Sequence, residues 1–190
     1  MTISTIRIAS RCAISLLTIR STKVSGRSTS PIDPESIVID AKSGTTGAGK
    51  KASEGLLFSE VDGECFPYKI GKHQHFPEIT KYLAAFGGSP GLTADDYARK
   101  TFFSTSLLPT PRGIIAGMYL SLAAGKTEAD VAAAFATTYA DYPLAKVAAL
   151  SATPKIASLK KVVGSNRVQI GYALDGAKLY LYSLLDNLGK

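Results

Sequence analysis

The dipeptide Asp175-Gly176 constrains this chain more than any other feature. It separates two apolar runs, residues 168–174 and 178–184. An Asp-Gly pair between apolar stretches is a strong short-range signal for a β-hairpin, because the tight turn needs a residue that accepts positive φ. In the second run Leu179, Leu181 and Ser183 alternate with Tyr180, Tyr182 and Leu184. A period of two puts these sets on opposite faces of a strand. The tyrosines read as core or sheet-face packing. A sheet is therefore expected near this end of the chain.

The remaining pattern is mixed. Residues 37–40 form a short β-branched run, and Thr101–Leu107 and Ile114–Leu122 read as strands on either side of a Pro-rich loop. A helix is expected over residues 77–86, opened by Pro77 and broken by the Gly/Ser/Pro stretch at 87–91. Thr127 and Asp130 have capping-box spacing, and Val131, Ala134, Phe135 and Thr138 give the following helix an apolar face. Together these elements predict an α+β fold, a mixed β-sheet with flanking helices.

Residues 71–79, Gly-Lys-His-Gln-His-Phe-Pro-Glu-Ile, hold the only two histidines, His73 and His75, and a carboxylate, Glu78, three residues after the second. Histidine gives and takes protons near neutrality, and a neighbouring acid orients its ring. A surface pair or half of a metal site would use the same residues. A metal site is not expected, because no third His or Cys lies nearby. A second stretch, residues 40–51 (DAKSGTTGAGKK), follows the β-branched run. From Gly44 to Lys50 it fits G-x-x-x-x-G-K, nearly a phosphate-cradling P-loop, but Lys51 stands where a P-loop needs Ser or Thr for magnesium. A P-loop-like nucleotide-binding protein is thus one alternative.

These two stretches resemble N-acetyl-gamma-glutamyl-phosphate reductases, the NADP-dependent reductases of arginine biosynthesis. Three further segments resemble the family in the same order: the loop 107–114 (LLPTPRGI), the turn 163–166 (VGSN) and the segment 185–188 (LDNL). The resemblance runs from residue 32 to 190. It implies a domain like the C-terminal domain of glyceraldehyde-3-phosphate and aspartate-semialdehyde dehydrogenases. That domain carries chemistry and much of the contact of a homo-oligomer. It also implies the conversion of N-acetyl-L-glutamyl 5-phosphate and NADPH to N-acetyl-L-glutamate 5-semialdehyde, phosphate and NADP. On this resemblance the catalytic residues are Cys12, His75 and Glu78. His73, Arg112 and Ser43 would contact an acyl phosphate substrate. Gly44, Gly47 and Asn187 would lie against NADP. A related acyl-phosphate reductase of lysine biosynthesis is a further alternative.

No G-x-G-x-x-G follows a first strand, so the NADP-binding Rossmann domain is expected to be absent. The chain also ends at Lys190, where the family continues into a helix. It therefore reads as a fragment, inactive alone, with a basic, poorly ordered segment at 1–31 and a catalytic/dimerisation domain at 32–190. The family's nucleophilic cysteine precedes the Ser-Gly loop at about the distance that separates Cys12 from Ser43. Its neighbours differ, since the chain reads Ser10-Arg11-Cys12-Ala13. Cys12 is thus either the nucleophile or the accident of a shifted reading frame. Cys65 lies outside the family's cysteine pattern and reads as an ordinary thiol.

Charge supports neither nucleic acid nor membrane as a partner. The net charge is +7, from 22 basic and 15 acidic residues. Arg7, Arg11, Arg20, Lys23 and Arg27 stand in the first 32 residues with no acid, which leaves only +2 from Asp33 onward. No aromatic residue lies among those bases. No apolar stretch is long enough to span a bilayer. Two cysteines make no disulfide framework. A cytoplasmic location is expected, or a mitochondrial one if residues 1–30 are an Arg- and Ser-rich transit peptide.

Overall fold

The computed structural model of the chain describes residues 31–49, 52–87, 89 and 91–188. Cys12, Lys50, Lys51 and the expected N-terminal segment up to residue 30 lie outside the described residues.

The hairpin forms two inner strands of the sheet, next to its β5 edge. Strands β6 (Val168–Asp175) and β7 (Lys178–Leu185) pair antiparallel, and Asp175 faces Lys178 as the closing pair. The two-residue loop is therefore Gly176-Ala177, one position beyond the Asp-Gly pair. Gly176 has φ +59° and is the only loop residue with positive φ, the pattern of a type II′ turn with glycine first.

Five more strands extend this hairpin into one sheet: β1 (Ile32–Ser43), β2 (Phe66–Pro67), β3 (Thr101–Leu107), β4 (Ile114–Leu122) and β5 (Ala145–Ala149). Their order is β2-β3-β1-β4-β7-β6-β5. The pairs β1/β3 and β5/β6 are parallel and the others antiparallel, so the sheet is mixed, as expected. Strand β1 is longer than the run 37–40. Its ladder with β4 shifts register between Asp33 and Ile37, where Pro34 cannot donate, and then resumes.

Among the described residues the larger helices lie on one face. Helix α1 (Phe58–Val61) is a single turn. Helices α2 (Phe76–Phe86), α3 (Ala94–Lys100) and α4 (Glu128–Thr138) bring Ile79, Leu83, Tyr97, Val131 and Phe135 onto Ile37, Ile39, Met118, Leu120, Ile170, Leu179 and Leu181. The start of α4 is fixed by Asp130, whose carboxylate accepts from the Thr127 N–H and hydroxyl at 2.9 and 3.0 Å. Helix α3 starts with the same device, Thr93 and Asp96. No described helix is long and apolar enough to cross a membrane. The opposite sheet face carries Tyr119, Tyr180 and Tyr182 in edge-to-face contact.

Candidate functional site

The strands set the site by where they end. β1 ends at Ser43, opposite Leu107 of β3 and Ile114 of β4, and Ile114 faces Leu185 at the end of β7. The glycine loop, the Pro-rich loop and the Asp186-Asn187 segment therefore leave the sheet side by side. Gly44, Thr45 and Thr46 donate their N–H groups to the carbonyls of Gly113, Thr110 and Pro111 at 2.8, 3.0 and 3.0 Å. The loop then makes one 3-10 turn, Thr45–Ala48.

This overturns the P-loop alternative. A phosphate cradle needs free backbone N–H groups and a helix start. Here three consecutive N–H groups are spent on the neighbouring loop, and no α-helix follows directly. Gly44 serves that close approach, because a Cβ there would stand 2.7–2.9 Å from backbone atoms of Thr110, Pro111 and Arg112.

Asn187 locks the two loops together. Its Oδ1 accepts from the Gly113 N–H at 2.9 Å and the Thr46 hydroxyl at 3.0 Å, and its Nδ2 donates to the Gly44 carbonyl at 3.2 Å. Ser43 donates to the Gly44 carbonyl at 3.0 Å, and a Cβ on Gly47 would press on the Ser43 hydroxyl at 2.8 Å. Arg112 faces Asp186, with Nη2 to Oδ2 at 2.7 Å and Nε to Oδ1 at 3.2 Å. Asp186 is fully buried, whereas 37% of the Arg112 side chain remains exposed. Sequence reasoning named Arg112 and Asn187 and missed Asp186. The available signal was an acid placed directly after an apolar strand end, within the family-like segment 185–188.

The histidines occupy a separate place on the helix-bearing face. The Tyr68 N–H donates to the Thr105 carbonyl, which anchors their loop along β3. His73 is 7% exposed and packs edge-on against Tyr68 and Phe103, with ring centroids 5.8 and 5.2 Å away. Phe103 lies four residues back along β3 from Leu107, roughly 13 Å of strand. His73 Nδ1 accepts from the His75 N–H at 3.3 Å, and the two rings lie 4.9 Å apart. Burial, then His75, then Lys69 lower the His73 pKa to about 4. His73 is therefore held as a neutral imidazole near pH 7.

His75 stands at the N-cap of α2, with Pro77 at the helix start and Glu78 in the first turn. Burial lowers its pKa, Glu78 opposes this, and Lys69 adds to the lowering. Glu78 is thus close enough to act on the ring electrostatically. It does not reach Nδ1, which is buried and has no hydrogen-bond partner among the described residues. Lys69 is the one described non-glycine residue with positive φ, +49°. Cys65 is an exposed free thiol.

Comparison with known proteins places this arrangement in a family. The family model for the semialdehyde dehydrogenase dimerisation domain matches residues 26–187. The chain is 40% identical over 161 residues to N-acetyl-gamma-glutamyl-phosphate reductase of Streptococcus thermophilus, 84% of this chain and 44% of that protein. It is 36% identical over the same length to the enzyme of that name from Geobacillus stearothermophilus, with the same two coverages. The chain thus spans less than half the length of the curated relatives it matches. Among solved structures, aspartate semialdehyde dehydrogenase II of Vibrio cholerae matches 95% of this chain and 55% of its own, with TM-score 0.62 and 12% identity. A probable aspartate-semialdehyde dehydrogenase of Pseudomonas aeruginosa gives TM-score 0.60, 10% identity and the same coverages. At such identities these structures establish the fold alone, and they agree with the expected α+β domain.

Proposed function

Because the chain belongs to the semialdehyde dehydrogenase dimerisation-domain family, we propose that it is the substrate and dimerisation domain of an N-acetyl-gamma-glutamyl-phosphate reductase of arginine biosynthesis. The whole enzyme would convert N-acetyl-L-glutamyl 5-phosphate and NADPH to the 5-semialdehyde, phosphate and NADP. One observation carries the reading: the glycine loop, the Pro-rich loop and the Asp186-Asn187 segment, up to 143 residues apart in sequence, meet through direct hydrogen bonds at one end of the sheet.

In this reading His75 is the proton carrier. Its lowered pKa leaves the imidazole neutral near pH 7 and able to accept a proton. Glu78 favours the protonated ring and so moderates the lowering. Arg112 supplies a guanidinium edge to an anionic group of the substrate. Ser43 is proposed to contribute a polar edge beside Arg112, and His73, roughly 13 Å of strand away, one to the opposite end of the substrate. Cys12 is proposed as the nucleophile, the alternative being that it arose from a shifted reading frame and the family's cysteine is lost.

NADPH would supply the hydride when bound. The Gly44 N–H and the Asn187 oxygen are already bonded within the chain, so they do not fit direct contacts with it. Gly44, Gly47 and Asn187 are proposed to give the loop its shape, with the cofactor carried by a nucleotide-binding domain. A second copy of the chain is proposed to cover the sheet face that bears Tyr119, Tyr180 and Tyr182. A cytoplasmic setting suits this chemistry.

A chimera tests the proposal. Residues 32–188 would replace the matching segment of a full-length reductase, with phosphate-dependent NADP reduction followed at 340 nm. The expected results are turnover with N-acetylglutamate semialdehyde and none by the chain alone. A folded chimera that acts only on aspartate semialdehyde would contradict the substrate assignment.

A further inference from the structure

Asp186 is the most completely buried acid of the described site, and neither the sequence motifs nor the family comparison gives it a role. Its side chain is 0% exposed. Four donors converge on it: Arg112 Nη2 and the Gly164 N–H on Oδ2 at 2.7 and 2.5 Å, and Arg112 Nε and the Leu188 N–H on Oδ1 at 3.2 and 2.8 Å. A carboxylate taken out of water at this depth is tolerated only when it is paired and its lone pairs are occupied. The two-point contact with Arg112 also fixes a plane. A guanidinium held at Nε and Nη2 cannot swing without losing both bonds.

The loop carrying Arg112 is fixed from the other side. The Gly113 N–H is held by Asn187, and the carbonyls of Thr110 and Pro111 take the N–H groups of Thr45 and Thr46. Both the backbone and the head group of Arg112 are thus immobilised. The exposed part of the side chain therefore has one direction in which to meet a ligand.

We propose that Asp186 is a positioning residue that fixes Arg112, through the two-point ion pair, so that the outward guanidinium edge receives a substrate oxyanion. The Gly164 turn is tied to the same carboxylate and shares its orientation. The proposal rests on the reading of Arg112 as an anion contact. The oxyanion has two sources in the substrate, a phosphate and a carboxylate.

The test uses the full chain and two probes titrated separately, inorganic phosphate and N-acetyl-L-glutamate, with binding read by NMR. The probe that binds identifies the source. Asp186→Asn removes a negative charge beside Arg112, which on charge alone strengthens anion binding. Positioning predicts the opposite sign: binding weakened by roughly tenfold. The Arg112 Nε–H, slow to exchange in the parent chain, should also become fast. Unchanged or tighter binding in a folded Asp186→Asn variant overturns the proposal. Should that variant fail to fold, Arg112→Lys decides. It keeps the charge and loses the two-point contact, and unchanged binding there likewise overturns the proposal. Arg112→Ala tests the underlying reading without touching Asp186. Parent-level binding by Arg112→Ala, or no binding by the parent chain, removes Arg112 as the anion contact and the proposal with it.

Discussion

The loop cluster at the sheet end and the histidine junction are built on opposite principles. At the loop cluster polar groups are matched inside the chain: Asn187 with Gly113, Thr46 and Gly44, and Asp186 with Arg112, Gly164 and Leu188. At the histidine junction polarity is left unspent. His75 Nδ1 is buried without a partner among the described residues, His73 is held neutral in an aromatic setting, and Lys69 sits at positive φ beside both. A matched cluster gives rigidity, because each lost partner strands a buried group. An unmatched one costs stability and keeps a group ready for a proton. The difference fits the proposed roles: scaffold duty for the loop cluster, with the Arg112 edge as its exception, and proton chemistry for His75.

Asn187→Ala should break the comparison most sharply. It strands the Gly113 N–H and removes one partner each from Thr46 and the Gly44 carbonyl, which keeps the Ser43 hydroxyl. We expect a loss of about 3 kcal/mol in urea unfolding. A loss below about 1 kcal/mol would mean that the loops do not depend on one another.

Acid should act at the other region. A folded His73 pKa of about 4 against 6.5 when unfolded means that the unfolded chain binds the extra proton first. Its contribution is therefore fully present above pH 6.5 and falls as pH drops toward 4, by up to about 3 kcal/mol. His73→Gln should flatten stability across that window. An unaltered slope would show that another group carries it.

The smallest effect should come from Lys69→Gly, which relieves the left-handed backbone. A gain of about 1 kcal/mol is expected. Loss of the lysine charge should raise the titration of both histidines. Destabilisation would mean that the Lys69 side chain has a packing role.

Much of the sheet was legible in the sequence. Strands β3 and β4 match residues 101–107 and 114–122, because the Pro-rich loop separates the two runs. Helix α2 begins one residue before the expected 77, with Pro77 inside its first turn. Strand β5 was not legible. Ala145-Lys-Val-Ala-Ala149 has the composition of a helix, and only parallel pairing with β6 makes it a strand. Helix α3 was missed because Tyr97 is its only buried residue, although Thr93 and Asp96 carry its cap. At the site, local patterns singled out the two histidines and Glu78. The resemblance supplied Arg112 and Asn187. Asp186 escaped because sequence alone does not tell a buried carboxylate from an exposed one. Burial also has to be known before His73 can be read as neutral.

The division of labour stands or falls on the two imidazoles. Their titration by NMR over pH 3–8, in the parent chain and in Glu78→Gln, measures them directly. The account predicts that His73 titrates near 4 and His75 below 6.5, and that His75 falls further once the Glu78 charge is gone. Two imidazoles that both titrate at 6.5 and ignore Glu78→Gln would contradict it.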